Sequence, residues 1–222
     1  MTATIQTDTC LNRKTILCFG DSNTYGQHPD RPERFNELQR WTRLLQRQLE
    51  DQAYVIEEGL GGRTIDREHP DAKKPTKNGW TYFRPCFESH NPDAVIIVLG
   101  TNDCQIAHQK TARDIADSLE KYITYAKEGG VQSILLVAPL PLDPERLIDP
   151  ATGLSSKGTF DYESVKKSIQ YVVELSRVAA KHDVDFLDAG DYVQLGEDGL
   201  HWDEASQARF ADAAGQWAKT AL

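Results

Sequence analysis

A serine hydroxyl is a weak nucleophile at neutral pH; it needs a base within hydrogen-bond reach to take its proton, and a third group to fix that base's tautomer. The sequence holds candidates for all three parts: Ser22 in G-D-S-N-T-Y-G (20–26), and Asp198 and His201 in D-G-L-H-W-D (198–203). Attack on an acyl carbon also creates an oxyanion, which needs hydrogen-bond donors already in place. The candidate donors are the backbone N–H of Ser22, the backbone N–H of Gly62 in G-L-G-G-R-T (59–64) and the side-chain amide of Asn102 in G-T-N-D (100–103). Glycine suits position 62 because its N–H can approach a ligand with no Cβ in the way. Singly, each block has an ordinary explanation. A serine after a strand caps a helix, Asn102 forms a turn, Gly61 and Gly62 make a bend, and Asp203 caps a helix while His201 faces water. The blocks in series point instead to acyl chemistry at a serine.

Something must bring these blocks together. Five apolar runs, TILCF (15–19), YVIEE (54–58), AVIIVLG (94–100), SILLVAP (133–139) and VDFLD (184–188), alternate with segments of helical period. That alternation is the mark of an α/β fold, a three-layer αβα sandwich around a five-stranded parallel sheet. In such sheets ligands bind beyond the carboxyl ends of the strands, where strand order reverses. A flavodoxin-like order 2-1-3-4-5 makes the strands before positions 20, 59 and 100 neighbours. The loop after Asp188, about 13 residues long, can reach ~40 Å, enough to return His201 from an edge strand to the centre.

Helical stripes are expected from Leu38, Trp41, Leu45 and Leu49 behind Asn36 with Gln39, and from Ile115, Leu119, Ile123 and Ala126 behind Thr111. Two more follow, Val165, Ile169, Val172 and Ser176 behind Asp161, and Phe210, Ala214 and Trp217 behind Asp203. Their apolar faces read as core. Pro85 predicts a short or kinked helix between Trp80 and His90. Residues 140–158 read as an irregular segment, either a substrate-side lid or a surface excursion.

With 222 residues, a single domain over 15–222 behind a flexible tail at 1–14 is expected. The formal net charge of −9 argues against nucleic acid or an anionic membrane as partner, and Lys73, Lys74 and Lys77 read as a solvated loop. The four cysteines, Cys10, Cys18, Cys86 and Cys104, form no C-x-x-C pair, so neither a zinc site nor a disulfide framework is suggested. Reduced thiols, no signal-peptide core and no apolar run of ~20 residues lead to the expectation of a soluble cytoplasmic protein.

The four blocks, with Ser22 in GDSN, Gly62 in GLGGRT, Asn102 in GTND and His201 in DGLH, resemble those of the SGNH (GDSL-like) hydrolases, in that family's order. The likeness runs from about Ile16 to Leu222. RWTRLLQRQL (40–49), VIEEGLGGRT (55–64), NPDAVIIVLGTND (91–103) and FLDAG (186–190) look like its bacterial arylesterase and acyltransferase branch. The resemblance implies a serine esterase acting through an acyl-enzyme on short-acyl or aryl esters, with acyl transfer to alcohols open to it. It also implies a Ser22–His201–Asp198 triad, no metal and no cofactor. By analogy a homo-oligomer is suggested, though no stripe in the sequence marks an interface.

Asn23 stands where that family has leucine, Gln27 where the branch commonly has tryptophan, and Gln105 where lysine is frequent. Asp21, Asn23, Gln27, Gln105 and Leu200 are therefore candidate substrate contacts, and a polar rim makes an O-deacetylase of carbohydrates the alternative. A non-catalytic flavodoxin-like binding module has no reason to gather these blocks on one edge. A flavin or nucleotide enzyme lacks its G-x-G-x-x-G or phosphate loop. A metal hydrolase using Asp21, Asp103, Asp198 and His201 has only one histidine near the site.

Overall fold

The computed structural model describes residues 13–68, 73 and 75–222. Strand β1 (Lys14–Gly20) runs into the one-turn helix α1 (Ser22–Tyr25), followed by α2 (Trp41–Leu49), β2 (Ala53–Gly59), α3 (Gly79–His90) and β3 (Ala94–Val98). Next come α4 (Ala112–Asp117), α5 (Glu120–Glu128), β4 (Ser133–Ala138) and α6 (Pro144–Leu147). Two short strands, β5 (Ile148–Asp149) and β6 (Leu154–Ser155), precede α7 (Tyr162–His182), β7 (Asp185–Asp188) and α8 (Glu204–Ala221).

Five strands form a parallel sheet in the order β2-β1-β3-β4-β7, the expected 2-1-3-4-5 order counted over the strands of this sheet. Successive strand residues point to opposite faces, so each central strand feeds two cores. Leu17, Phe19, Val95, Ile97, Ile134 and Leu136 pack on the face covered by α3, α4, α5 and α7. Ile16, Cys18, Ile96, Val98, Leu135 and Val137 pack on the face covered by α2 and α8. From β1 the chain steps outward to β2 and then returns past β1 to β3, so the order reverses between β1 and β3. The crevice at that reversal is where Gly20, Gly59 and Gly100 end up.

Several helices differ from the expected stripes. Asn36 Oδ1 accepts the Leu38 N–H and Gln39 Oε1 the Asn36 N–H, but these bonds close a turn ahead of the helix, whose N-cap is Arg40 rather than the expected Asn36. The α-helix starts only at Trp41, and Leu38 is 57% exposed. The stripe behind Thr111 is split into α4 and α5, because the Ser118 hydroxyl donates to the Asp114 carbonyl and the Leu119 N–H bonds Ala116, three residues back. In α7 the buried face is Ser164, Val165, Ser168, Tyr171, Leu175, Val178 and Ala179, leaving Ile169 outside. Ser168 must face inward because its hydroxyl accepts the buried N–H of Leu142. Helix α3 runs through Pro85 for twelve residues, longer than expected.

Of the tail expected over 1–14, residues 1–12 lie outside the described residues, as does Cys10, and Lys14 already pairs with Ala53 in β1. Among the described residues no helix is long and apolar enough to cross a membrane.

Candidate active site

Serine 22 opens α1 immediately beyond the carboxyl end of β1. Asp21 caps this single turn by accepting the Asn23 N–H at 3.0 Å, and Gly26 closes it with an N–H to the Ser22 carbonyl. Ser22 is thereby held in a strand-to-helix turn at the floor of a cleft of about 800 Å³.

The D-G-L-H spacing folds into a tight turn for a stated reason. Asp198 Oδ1 accepts the N–H groups of Leu200 and His201 at 3.0 and 2.9 Å, which requires the chain to double back through Gly199 at φ +65°. The same turn swings the His201 ring onto Asp198 Oδ2, with Nδ1 at 2.5 Å. With Nδ1–H donating to the carboxylate, Nε2 carries the lone pair, and it lies 3.0 Å from Ser22 Oγ. Burial pushes the Asp198 carboxyl upward. The hydrogen bond and charge of His201, with the two backbone N–H groups, outweigh that and hold it below the usual value.

Opposite His201 lie the donor candidates. Gly62 sits at φ +78°, where a Cβ would strain the backbone and press on Lys77. Among the described residues neither the Ser22 nor the Gly62 N–H finds a protein acceptor. Asn102, 7% exposed, receives a bond from Gln105 Nε2 on its Oδ1 at 3.3 Å and donates through Nδ2 to the Arg63 carbonyl at 3.1 Å and, at 3.4 Å, to Asp21 Oδ2. Its amide face is thus fixed, with nitrogen toward the 61–63 loop.

The structure places the candidate substrate contacts unevenly. Gln27, Gln105 and Leu200 line the cleft. Asp21 and Asn23 do not: they are 1% and 3% exposed and lie beneath Ser22. Residues of a helical turn point about 100° apart, so the neighbours of a cleft-facing serine face the interior. Asn23 Oδ1 instead accepts the buried Trp202 N–H at 3.0 Å, tying α1 to the residue after His201.

Two supporting residues went unassigned from the sequence. Arg63, 3% exposed, lies over the Phe19 ring at 4.0 Å and donates to the carbonyls of Gly20 and Glu58, bracing the ends of β1 and β2. Asp103 accepts the Ile65 N–H with both carboxylate oxygens, at 3.1 and 2.9 Å, anchoring the 59–65 loop to the end of β3. Burial raises the Asp103 carboxyl to about 7, against the pull of that N–H and of Lys110. Asp21 is likewise raised by burial, to about 6, against the Asn23 N–H, His201 and Arg63. An arginine directly after Gly-Gly and an aspartate directly after Asn102 were the available signals.

Cys104 is fully buried, and burial, with Asp103 nearby, raises its thiol to about 12, which makes it inert. Among the described residues no group of three or more His, Cys, Asp or Glu is placed to hold a metal ion. Residues 140–158 form a wall of the cleft: Leu142 and Ile148 are buried beneath it, while Leu147, Ser155, Ser156 and Lys157 face the opening.

Taken as chemistry, the arrangement can carry a proton from Ser22 Oγ to His201 Nε2, and among the described residues the N–H groups of Ser22 and Gly62 remain without a protein acceptor in the same cleft. Comparison with known proteins places the chain among ester hydrolases. The structure superposes on the native aryl esterase of M. smegmatis with a TM-score of 0.82 at 35% identity, covering 94% of this chain and 100% of that one. It superposes on Est24, a carbohydrate acetylesterase from Sinorhizobium meliloti, with a TM-score of 0.83 at 32% identity, covering 95% and 100%. Comparison with curated protein sequences returns no significant match. The model of the GDSL-like lipase/acylhydrolase family matches residues 18–217, and the chain therefore belongs to that family and is a carboxylic ester hydrolase.

Proposed function

We propose that the protein hydrolyses small carboxylic esters, short-acyl or aryl, through an acyl-enzyme on Ser22. The carrying observation is the single chain from Ser22 Oγ through His201 to Asp198, with bonds of 3.0 and 2.5 Å, in a cleft that Gly62 also lines. Ser22 Oγ attacks the ester carbon as its proton passes to His201 Nε2. The oxyanion is held by the N–H groups of Ser22 and Gly62 and by Asn102 Nδ2, which exchanges its long 3.4 Å bond to Asp21 Oδ2 for one to the oxyanion. When the intermediate collapses, the C–O bond to the alcohol breaks and His201 returns its proton to the leaving oxygen. A water molecule, deprotonated by the same nitrogen, then attacks the acyl-enzyme, releasing acid and restoring the serine. Asp198 orients the ring and stabilises its charged form throughout.

A second reading, an O-deacetylase of carbohydrates or other polar alcohols, is favoured by the polar lining of Gln27, Gln105, Ser155, Ser156 and Thr159. Structural similarity to Est24, a carbohydrate acetylesterase, supports it as well. Comparing turnover of aryl acetates with that of acetylated sugars separates the two readings. The same polar lining favours water over alcohols as second nucleophile, so hydrolysis is expected to exceed alcoholysis. With vinyl acetate and benzyl alcohol in buffer, early product should be acetate; an excess of benzyl acetate would make the protein an acyltransferase instead.

A further inference from the structure

The protein carries 34 acidic against 25 basic side chains, yet its cleft has the opposite sign. Four cations, Arg31, Lys77, Arg146 and Lys157, line it against two carboxylates, Asp30 and Asp198. They come from four separate segments: the loop after α1, the stretch before α3, helix α6 and the turn after β6. Two of them are already engaged. Arg31 lies 3.5 Å from Asp30, and Arg146 lies 3.5 Å from Asp143 and donates to the carbonyls of Leu195 and Gly196. Asp198, in turn, is held by His201.

The two lysines are different. Among the described residues neither Lys77 nor Lys157 has a carboxylate within ion-pair distance. Among the described residues Lys77 Nζ bonds the Gly61 carbonyl alone, and it stands 3.0 Å from the point where a Cβ would be at Gly62. Its charge is therefore set against the Gly61–Gly62 loop, which lines the same cleft as Ser22. Lys157 sits in the turn between Ser155 and Gly158, on the wall formed by residues 140–158. A cleft lined by one sign of charge concentrates ligands of the other sign, and an ammonium without a partner interacts with a ligand's charge without first breaking an ion pair.

We infer that the esters taken by this site carry a negatively charged group, recognised by Lys77 and Lys157. This rests on the esterase reading above and names its substrate class. The charge can belong to the acid or to the alcohol part of the ester, and a matched pair of substrates distinguishes them. For the acid part, 4-nitrophenyl hydrogen adipate is compared with 4-nitrophenyl methyl adipate; for the alcohol part, 4-acetoxyphenylacetate is compared with its methyl ester. The quantity read is the ratio of kcat/KM, anion over neutral, in each pair.

In at least one pair the wild-type ratio should be about tenfold or more at low ionic strength, and should shrink in about 0.5 M salt as the charges are screened. Lys77→Gln and Lys157→Gln should each lower it severalfold, and Lys157→Glu should lower it further. Because the ratio is internal to each enzyme, a loss of overall turnover in a Lys77 variant does not blur it. Turnover of the neutral esters with ratios at or below one in both pairs would overturn the charge assignment alone. So would ratios unchanged in the Lys77→Gln/Lys157→Gln double variant. Four inert esters would overturn the esterase reading and this inference together.

Discussion

Each polar group around Ser22 has a distinct task, and the tasks separate experimentally. Asn102 is held by bonds on both ends of its amide and also ties the Arg63 carbonyl, so thermal unfolding of Asn102→Ala separates a lost donor from a loosened loop. For Asn102→Ala, kcat should fall by roughly 10²–10³ with a smaller change in KM, because the donor acts on charge that develops in the transition state. Steady-state kinetics on one aryl acetate checks this, and an unaltered kcat would remove Asn102 from the oxyanion site. The sequence singled out Ser22, Gly62, Asn102, Asp198 and His201 because their types and block spacing state a chemical requirement, and the structure joins Ser22, His201 and Asp198 by hydrogen bonds. Asp21 and Asn23 were misplaced because polarity beside a nucleophile says nothing about which way a helical turn rotates each side chain. Gln27, Gln105 and Leu200 do reach the cleft.

Elements are tied to one another by buried polar bonds, and two of these carry consequences. Asn23 Oδ1 joins α1 to the 198–203 turn through the Trp202 N–H. Asn23→Leu leaves that N–H buried and unpaired, at a cost of about 1–3 kcal/mol. The thermal midpoint should drop, and kcat should drop with it by about tenfold as the His201 ring loses its fixed distance to Ser22. A lower midpoint with unchanged kcat would mean that the tie is structural only. Asp103 joins the 59–65 loop to β3, and its carboxyl titrates at about 7 when folded against an ordinary value of 3.8. Between those values the folded state keeps a proton that the unfolded chain has lost, so this group's stabilisation declines as pH rises through that window. Asp103→Asn lacks the titration; its stability relative to wild type should therefore improve from about pH 4 to about pH 8, by on the order of 1–4 kcal/mol, in denaturant unfolding. A difference independent of pH would place the Asp103 titration elsewhere. None of these ties was visible in the sequence, since Asp103 and Asn23 look like any loop residue until their distant N–H partners are known. The α4–α5 break was hidden likewise, because a continuous apolar stripe does not report that Ser118 bonds back to Asp114.

At the scale of the whole molecule, the parallel order β2-β1-β3-β4-β7 is what makes residues 179 positions apart into hydrogen-bond partners. That order was legible, because apolar runs alternating with helical periods permit few arrangements of a sheet covered on both sides. The cleft wall at 140–158 was not, since its short helix and two-residue ladder have no period long enough to read. The sign of the cleft was hidden as well: a net charge of −9 is an average, and Lys77, read from sequence as part of a solvated loop, stands beside Gly62. Everything proposed for the site depends on Ser22 being the nucleophile. The most direct test is to treat wild type and Ser22→Ala with a serine-directed phosphonate, map the adduct by peptide mass spectrometry, and measure ester turnover and thermal unfolding of both. The expected result is a single adduct on Ser22, no adduct in the variant, turnover lowered by about 10⁴ or more and an unfolding midpoint close to wild type. An adduct on another residue, or near-normal turnover in Ser22→Ala, would contradict the account.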